Sequence, residues 1–279
     1  MTDSLRLRQI CLAAPRLAPV VDDLQTIFGL SVCHRDPKLI AYGLENALLP
    51  IGTDFLEVVA PVQPDTAAGR FIHRSQGHGG YMAIFQADNP KQRQAAALAL
   101  GVRTAHEIDQ PGYLSVQLHP RDCRAAFIEL GHSLGGEDRM GSWWPAGPHW
   151  QDHVQTRDTL RLLGIVLESP DPSALAGLWS QILATPLLRA DDAGGTGGTG
   201  GAGGAADRAG DARPRLQIEQ VSVGFEPGPA DCLGSVVVEV IDVAATLRRA
   251  LDCGHRVQGQ RFHLGGVDFQ VNGPVQASI

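Results

Sequence analysis

The feature that most constrains what this 279-residue chain can fold into is that it repeats itself. Residues 81–130 hold one complete unit. It opens with the apolar run Tyr81-Met82-Ala83-Ile84-Phe85-Gln86-Ala87-Asp88, which reads as a buried strand. Pro90 then starts a run of good helix formers through Leu100, and Gly101 in the C′ position stops it. Short strands are expected at 102–105, 113–118 and 125–130, the last two separated by the turn His119-Pro120-Arg121-Asp122. A βαβββ unit of about fifty residues cannot bury both faces of so small a sheet alone, so the chain should contain copies.

It does. Leu5-Arg6-Leu7-Arg8-Gln9-Ile10-Cys11-Leu12 aligns with Leu160-Arg161-Leu162-Leu163-Gly164-Ile165-Val166-Leu167, and Pro15 falls opposite Pro170. Residues 80–88 align with 234–242, and Gly101-Val102-Arg103 with Gly254-His255-Arg256. The chain is therefore a duplication of a duplication, with domains expected at 1–135 and 157–276 and a connector at 136–156. Unit one reads as a strand at 7–13, an amphipathic helix at 17–28 closed by Gly29, and strands at 40–44, 47–50 and 53–60, with Glu57 inside the last. Between units one and two, Phe71 and Ile72 should tuck a short helix against the sheets. Trp143, Trp144 and Trp150 crowd the connector, where such aromatics either wall a ligand pocket or, the preferred reading, seal the joint between domains.

The second half repeats the plan, with strands at 216–225, 235–241, 255–257, 260–264 and 267–271 and helices to about 183 and over 243–251. A Gly-rich stretch at 190–213 interrupts it. No Gly-Lys-[Ser/Thr] follows those glycines and no strand feeds them, so they form a flexible insertion rather than a phosphate loop.

A net charge of −7 argues against a nucleic-acid-binding surface. Five cysteines without Cys-x-x-Cys spacing, no leader and no apolar run near 18 residues imply reduced thiols, the cytoplasm and no membrane.

Paired βαβββ units with Gly-Tyr-Met-Ala-Ile-Phe-Gln-Ala-Asp-Asn, then His119-Pro120-Arg121-Asp122-Cys123 and a strand ending Phe127-Ile128-Glu129-Leu130, resemble the vicinal oxygen chelate superfamily. The N-terminal half is most similar to the methylmalonyl-CoA epimerase group, with glyoxalase-like proteins near by. The resemblance implies an α+β fold, four βαβββ units paired into two domains with curved mixed sheets. It also implies a cup in which each unit contributes one ligand from its first strand and one from its last. A divalent metal there would stabilise an enolate as a Lewis acid.

The positions matching that pattern are Gln9, Glu57, Tyr81 and Glu129. Histidines are usual at the first-strand positions, and both are replaced. Gln9, Glu57 and Glu129 are left as a hard oxygen set that would favour Mg or Mn over Zn and bind it weakly. In the second half the matches are Gly164, Val223, Ser235 and Gln270, none a charged ligand, so that cup should pack, bind an apolar ligand or support homodimerisation.

The resemblance thus implies an isomerase or lyase step on a small carbonyl or thioester substrate. Glu129 or Glu57 would be the base, with Tyr81, His119 and Arg121 near the substrate. Turn stabilisation competes for the last two. The alternative is a non-catalytic protein that sequesters a small molecule after losing its metal. An extradiol-dioxygenase-like iron site needs two histidines and a carboxylate, which Gln9 and Tyr81 do not supply.

Overall fold

A computed structural model describes residues 4–188 and 213–274; nearly all of the expected Gly-rich insertion lies outside them. Unit one comprises β1 (Leu5–Ala13), α1 (Leu17–Phe28), β2 (Leu44–Ile51) and β3 (Asp54–Pro61). The helix α2 (Ala67–Arg74) leads to unit two: β4 (Gly80–Ala87), α3 (Pro90–Ala99), β5 (Thr104–Gln110), β6 (Tyr113–Leu118), the short α4 (Pro120–Cys123) and β7 (Phe127–Ser133). Unit three has β8 (Thr159–Ser169), α5 (Pro172–Ile182), β9 (Leu187–Leu188), β10 (Arg215–Ile218) and β11 (Val221–Pro227). Unit four has β12 (Cys232–Val240), α6 (Val243–Asp252), β13 (Val257–Gln258), β14 (Arg261–Leu264) and β15 (Val267–Asn272).

The helix starts follow local chemistry. Asn89, Asp171 and Asp242 each accept a backbone N–H three residues on, and Pro90 and Pro172 occupy first-turn positions that need no donor. Two expected strands differ. The stretch expected at 40–44 instead begins as a 3₁₀ turn, Pro37–Tyr42, because the Asp36 side chain caps Lys38 N–H and Gly43 adopts φ 70° to end it. The single strand expected at 216–225 is a hairpin, β10 and β11, turned at Glu219 with φ 51°.

In each half the first strands of two units pair antiparallel, β1 with β4 and β8 with β12. Each has its own unit's last strand parallel beside it. The two sheets join where Gly80 of β4 meets Leu233 of β12. Their helix-bearing faces share one apolar core, in which Phe28 packs on Phe262 and Phe269, and Trp179 on Phe85 and Phe225.

The joint is therefore made by the β4–β12 contact and by helices, and not by the connector tryptophans expected there. Arg249 Nε donates to Ile27 O, and Trp179 Nε1 donates to Cys123 O. Trp143 and Trp150 instead lie on the concave face of the N-terminal sheet with Cys11, Phe55, Tyr81 and Ile84.

Candidate functional site

Strand register builds the site. Beside β1, Phe55 lies opposite Gln9 and Glu57 opposite Cys11; beside β4, Phe127 lies opposite Met82 and Glu129 opposite Ile84. Glu57 and Glu129 thus occupy one position in two copies. The counterpart of Gln9 is Met82 and not Tyr81. Each central strand carries an extra residue relative to its partner, Arg8 in β1 and Tyr81 in β4. A bulge residue escapes strict alternation, so Arg8 and Tyr81 are the matched pair. That is why the sequence alignment put Tyr81 one place out.

Glu57 is buried and faced by donors. Trp143 Nε1 donates to Gln9 Oε1 at 2.7 Å, and Gln9 Nε2 donates to Glu57 Oε2 at 2.8 Å. On the other side, Asp36 N–H donates to Asn46 Oδ1 at 2.8 Å, and Asn46 Nδ2 donates to Glu57 Oε1 at 2.7 Å. An indole N–H and a backbone N–H can only donate, so both amides are fixed with N–H toward the carboxylate. The Cys11 thiol lies against it as well. Burial pushes the Glu57 carboxyl above the usual carboxylate range and the charge of Glu129 adds to this, while the bonds from Asn46, Cys11 and Gln9 pull it back. Burial and Glu57 also raise the Cys11 thiol well above its ordinary value, which leaves it protonated and unsuited to nucleophilic work.

Glu129 has a shell of its own. Tyr113 Oη (2.9 Å) and Ser115 Oγ (2.6 Å) donate to its Oε1, and Gln117 Nε2 donates to Oε2 at 2.9 Å. These three donors alternate along β6, so the period-2 pattern Tyr-x-Ser-x-Gln was a legible signal of a shared face. Trp143, 134 residues from Gln9, left no such signal.

The connector roofs this face. Arg8, fully buried, sits 5.2–5.7 Å from the ring centres of Phe55, Trp143 and Trp150, and its Nη1 donates to Arg139 O. Burial and the neighbouring Arg6 lower its guanidinium to about 9.

His119 and Arg121 lie at the edge of a cleft that Phe71 and Phe127 also line, while Tyr81 is buried against those two rings and does not reach the cleft lining. Tyr81 packs between Phe71 and Phe127, tilted to the first and edge-on to the second, with centroids 4.8 and 5.0 Å away. Burial raises its hydroxyl further above the ordinary value; Cys11 and Glu57 push it the same way, and Arg70 and Arg74 pull it down. That cleft, of about 420 Å³, lies outside this aromatic wall and is lined by Arg70, Phe71 and Arg74 of α2 with His119, Arg121 and Phe127. Neither glutamate lines it.

The oxygens at Gln9, Glu57 and Glu129 do not fit a divalent ion. Glu129 Oε1 already accepts from both Tyr113 and Ser115, and Gln9, Asn46 and Gln117 aim N–H groups at the other carboxylate oxygens, with the Trp143 indole on Gln9 Oε1, so a cation here would have to displace donors that already face the set. Among the described residues no group of three or more His, Cys, Asp or Glu is placed to hold a metal ion. In the second half, register sets Gly164 opposite Ser222, Val166 opposite Gly224, and Val237 opposite Gln270. The position equivalent to Glu57 is thus Gly224 rather than Val223, which is buried in the helix-side core.

Residues 10–183, from β1 to just past α5, match the family model described as a glyoxalase-like domain. The chain belongs to this glyoxalase-like family. Two solved structures share its fold. A hypothetical protein from Staphylococcus aureus is 10% identical over 97% of this chain and 100% of its own, with a TM-score of 0.61. A mutant of 4-hydroxymandelate synthase from Streptomyces coelicolor is 14% identical over 92% of the glyoxalase-like chain and 78% of its own, with a TM-score of 0.62. A methylmalonyl-CoA epimerase from Streptomyces coelicolor is 23% identical over 46% of this chain and 96% of its own, with a TM-score of 0.42. No curated protein matches. All five cysteines are free, and among the described residues no helix of the glyoxalase-like chain is long and apolar enough to cross a membrane.

Proposed function

We propose that the N-terminal cup is a proton-transfer site, performing an isomerase or lyase step beside the carbonyl of a small carbonyl or thioester substrate without a bound metal. Glu57 takes the proton, and Glu129, at the equivalent position of the second unit, stands to return one. The observation that carries this is the pair itself: two buried glutamates at one register position in two copies, near enough that the charge of one raises the pKa of the other. A raised carboxyl is the better base near neutral pH. Tyr81 separates the pair from the cleft through which substrate would approach.

A second reading, a binding protein without chemistry, is favoured by one observation: Trp143 and Trp150 fill the concave face. Incubation in D2O with a panel of small thioesters and ketones, followed by proton NMR, separates the two. Proton transfer predicts loss of the α-proton signal from at least one compound, slowed about a hundredfold or more in Glu57→Gln. Tight binding with no exchange in any compound would favour the second reading.

A further inference from the structure

The cleft outside the aromatic wall has a charge pattern that proton transfer does not use. Residues 67, 70, 71 and 74 form one stripe of α2 at i, i+3, i+4 and i+7, facing the His119-Pro120-Arg121 turn and Phe127 across the gap. Three arginines border the cleft, and no carboxylate lines it.

Elsewhere Arg103, Arg124 and Arg161 each find an acid, at Asp122, Asp231 and Glu239. Asp122, beside Arg121 in sequence, is held by Arg103. Among the described residues Arg74 and Arg121 form no ion pair, and Arg70 bonds only to the backbone carbonyl of Asp65. Three like charges around a half-enclosed, partly apolar space, in a chain of net charge −7, concentrate positive potential at one point. The guanidinium fork matches phosphate and carboxylate oxygens. The volume is that of a small-ligand pocket.

We propose that this cleft binds the phosphate or carboxylate group of a small organic anion through Arg70, Arg74 and Arg121, with the ligand's apolar part against Phe71 and Phe127. The inference rests on the proton-transfer reading only in taking the cleft as the approach to Glu57 and Glu129. It makes Arg70 and Arg74 ligand-binding residues together with Arg121, and gives the exposed basic residues of α2 a role beyond offsetting the helix C-terminus.

The test is calorimetric titration of the full chain, at low salt, with phenyl phosphate, benzoate and neutral phenol. One or both anions should bind more tightly than phenol, and the one that binds better identifies the group recognised. Arg74→Gln combined with Arg121→Gln should weaken that anion about tenfold or more, and added salt should weaken it too. Both side chains are exposed, so the variant should keep its fold, which circular dichroism checks. Equal anion affinity in wild type and variant, phenol binding as tightly as the anions, or no anion binding at millimolar concentration would overturn the proposal. Glu57→Gln should leave anion affinity within about threefold, so a failed proton-transfer reading and a failed anion site give different results.

Discussion

At the residue scale, Glu57 and its donors form one buried chain of hydrogen bonds from Trp143 through Gln9 to the carboxylate and on to Asn46. Trp143→Phe keeps an aromatic ring in the cup but removes the only hydrogen-bond donor to Gln9 Oε1 among the described residues, so it should destabilise the fold by about 2 kcal/mol in a denaturant titration. A raised carboxyl also fixes a sign. Folded Glu57 holds its proton more tightly than the unfolded chain does, so its contribution to stability is fully present below the ordinary value of about 4.3 and is lost as pH rises from there through the raised folded value. The stability of wild type relative to Glu57→Leu should therefore be greater near pH 4.5 than near pH 7.5, measured by guanidinium midpoints at both. A difference that grew with pH would mean that the donors from Asn46 and Gln9 outweigh burial. Glu57 and Glu129 were legible in the sequence because repeat alignment places them without knowledge of any contact. Their donors were legible only in part: Ser115 and Gln117 alternate visibly on one strand, whereas Asn46 and Trp143 arrive from elsewhere in the chain.

At the scale of elements, the repeat made strand order and helix positions readable, and the failures fall where a local device overrides periodicity. A single capping aspartate and a proline turned an expected strand into the 3₁₀ turn at 37–42. One bulge shifted Tyr81 out of register with Gln9, and a bulge leaves no mark on an apolar run such as 81–85. The seam between halves depends on glycine in a way the repeat does not show. A Cβ on Gly79 would sit 1.8 Å from Gly265 O, backbone against backbone, while Gly177 within α5 has nothing within 4 Å of its would-be Cβ. Gly79→Ala should accordingly cost about 1–3 kcal/mol by overpacking the seam. Gly177→Ala should stabilise the protein by about 0.5–1 kcal/mol through helix propensity. Thermal or chemical denaturation of the two variants side by side reads both.

At the scale of the whole molecule, four copies of one unit have diverged in what their equivalent positions carry. The N-terminal pair keeps Glu57 and Glu129, and the C-terminal pair has Gly224 and Gln270 in their place. The connector tryptophans Trp143 and Trp150 pack over the acidic cup, Arg139 of the connector reaches Glu219 of the second half, and the helices of both halves share one core. If donors rather than a cation hold the glutamates, dialysis against EDTA should leave the α-proton exchange rate within about twofold of the untreated protein; a loss restored by Mg or Mn would require those donors to rearrange. Because the base must be ionised, exchange should fall as pH drops through the Glu57 value, above the usual carboxylate range. The most direct measurement compares α-proton exchange into D2O for wild type, Glu57→Gln, Glu129→Gln and the C-terminal Gln270→Ala. The account predicts that both glutamate variants lose exchange by about a hundredfold or more while Gln270→Ala stays within about twofold of wild type. Exchange that survived in both glutamate variants, or disappeared with Gln270, would contradict it.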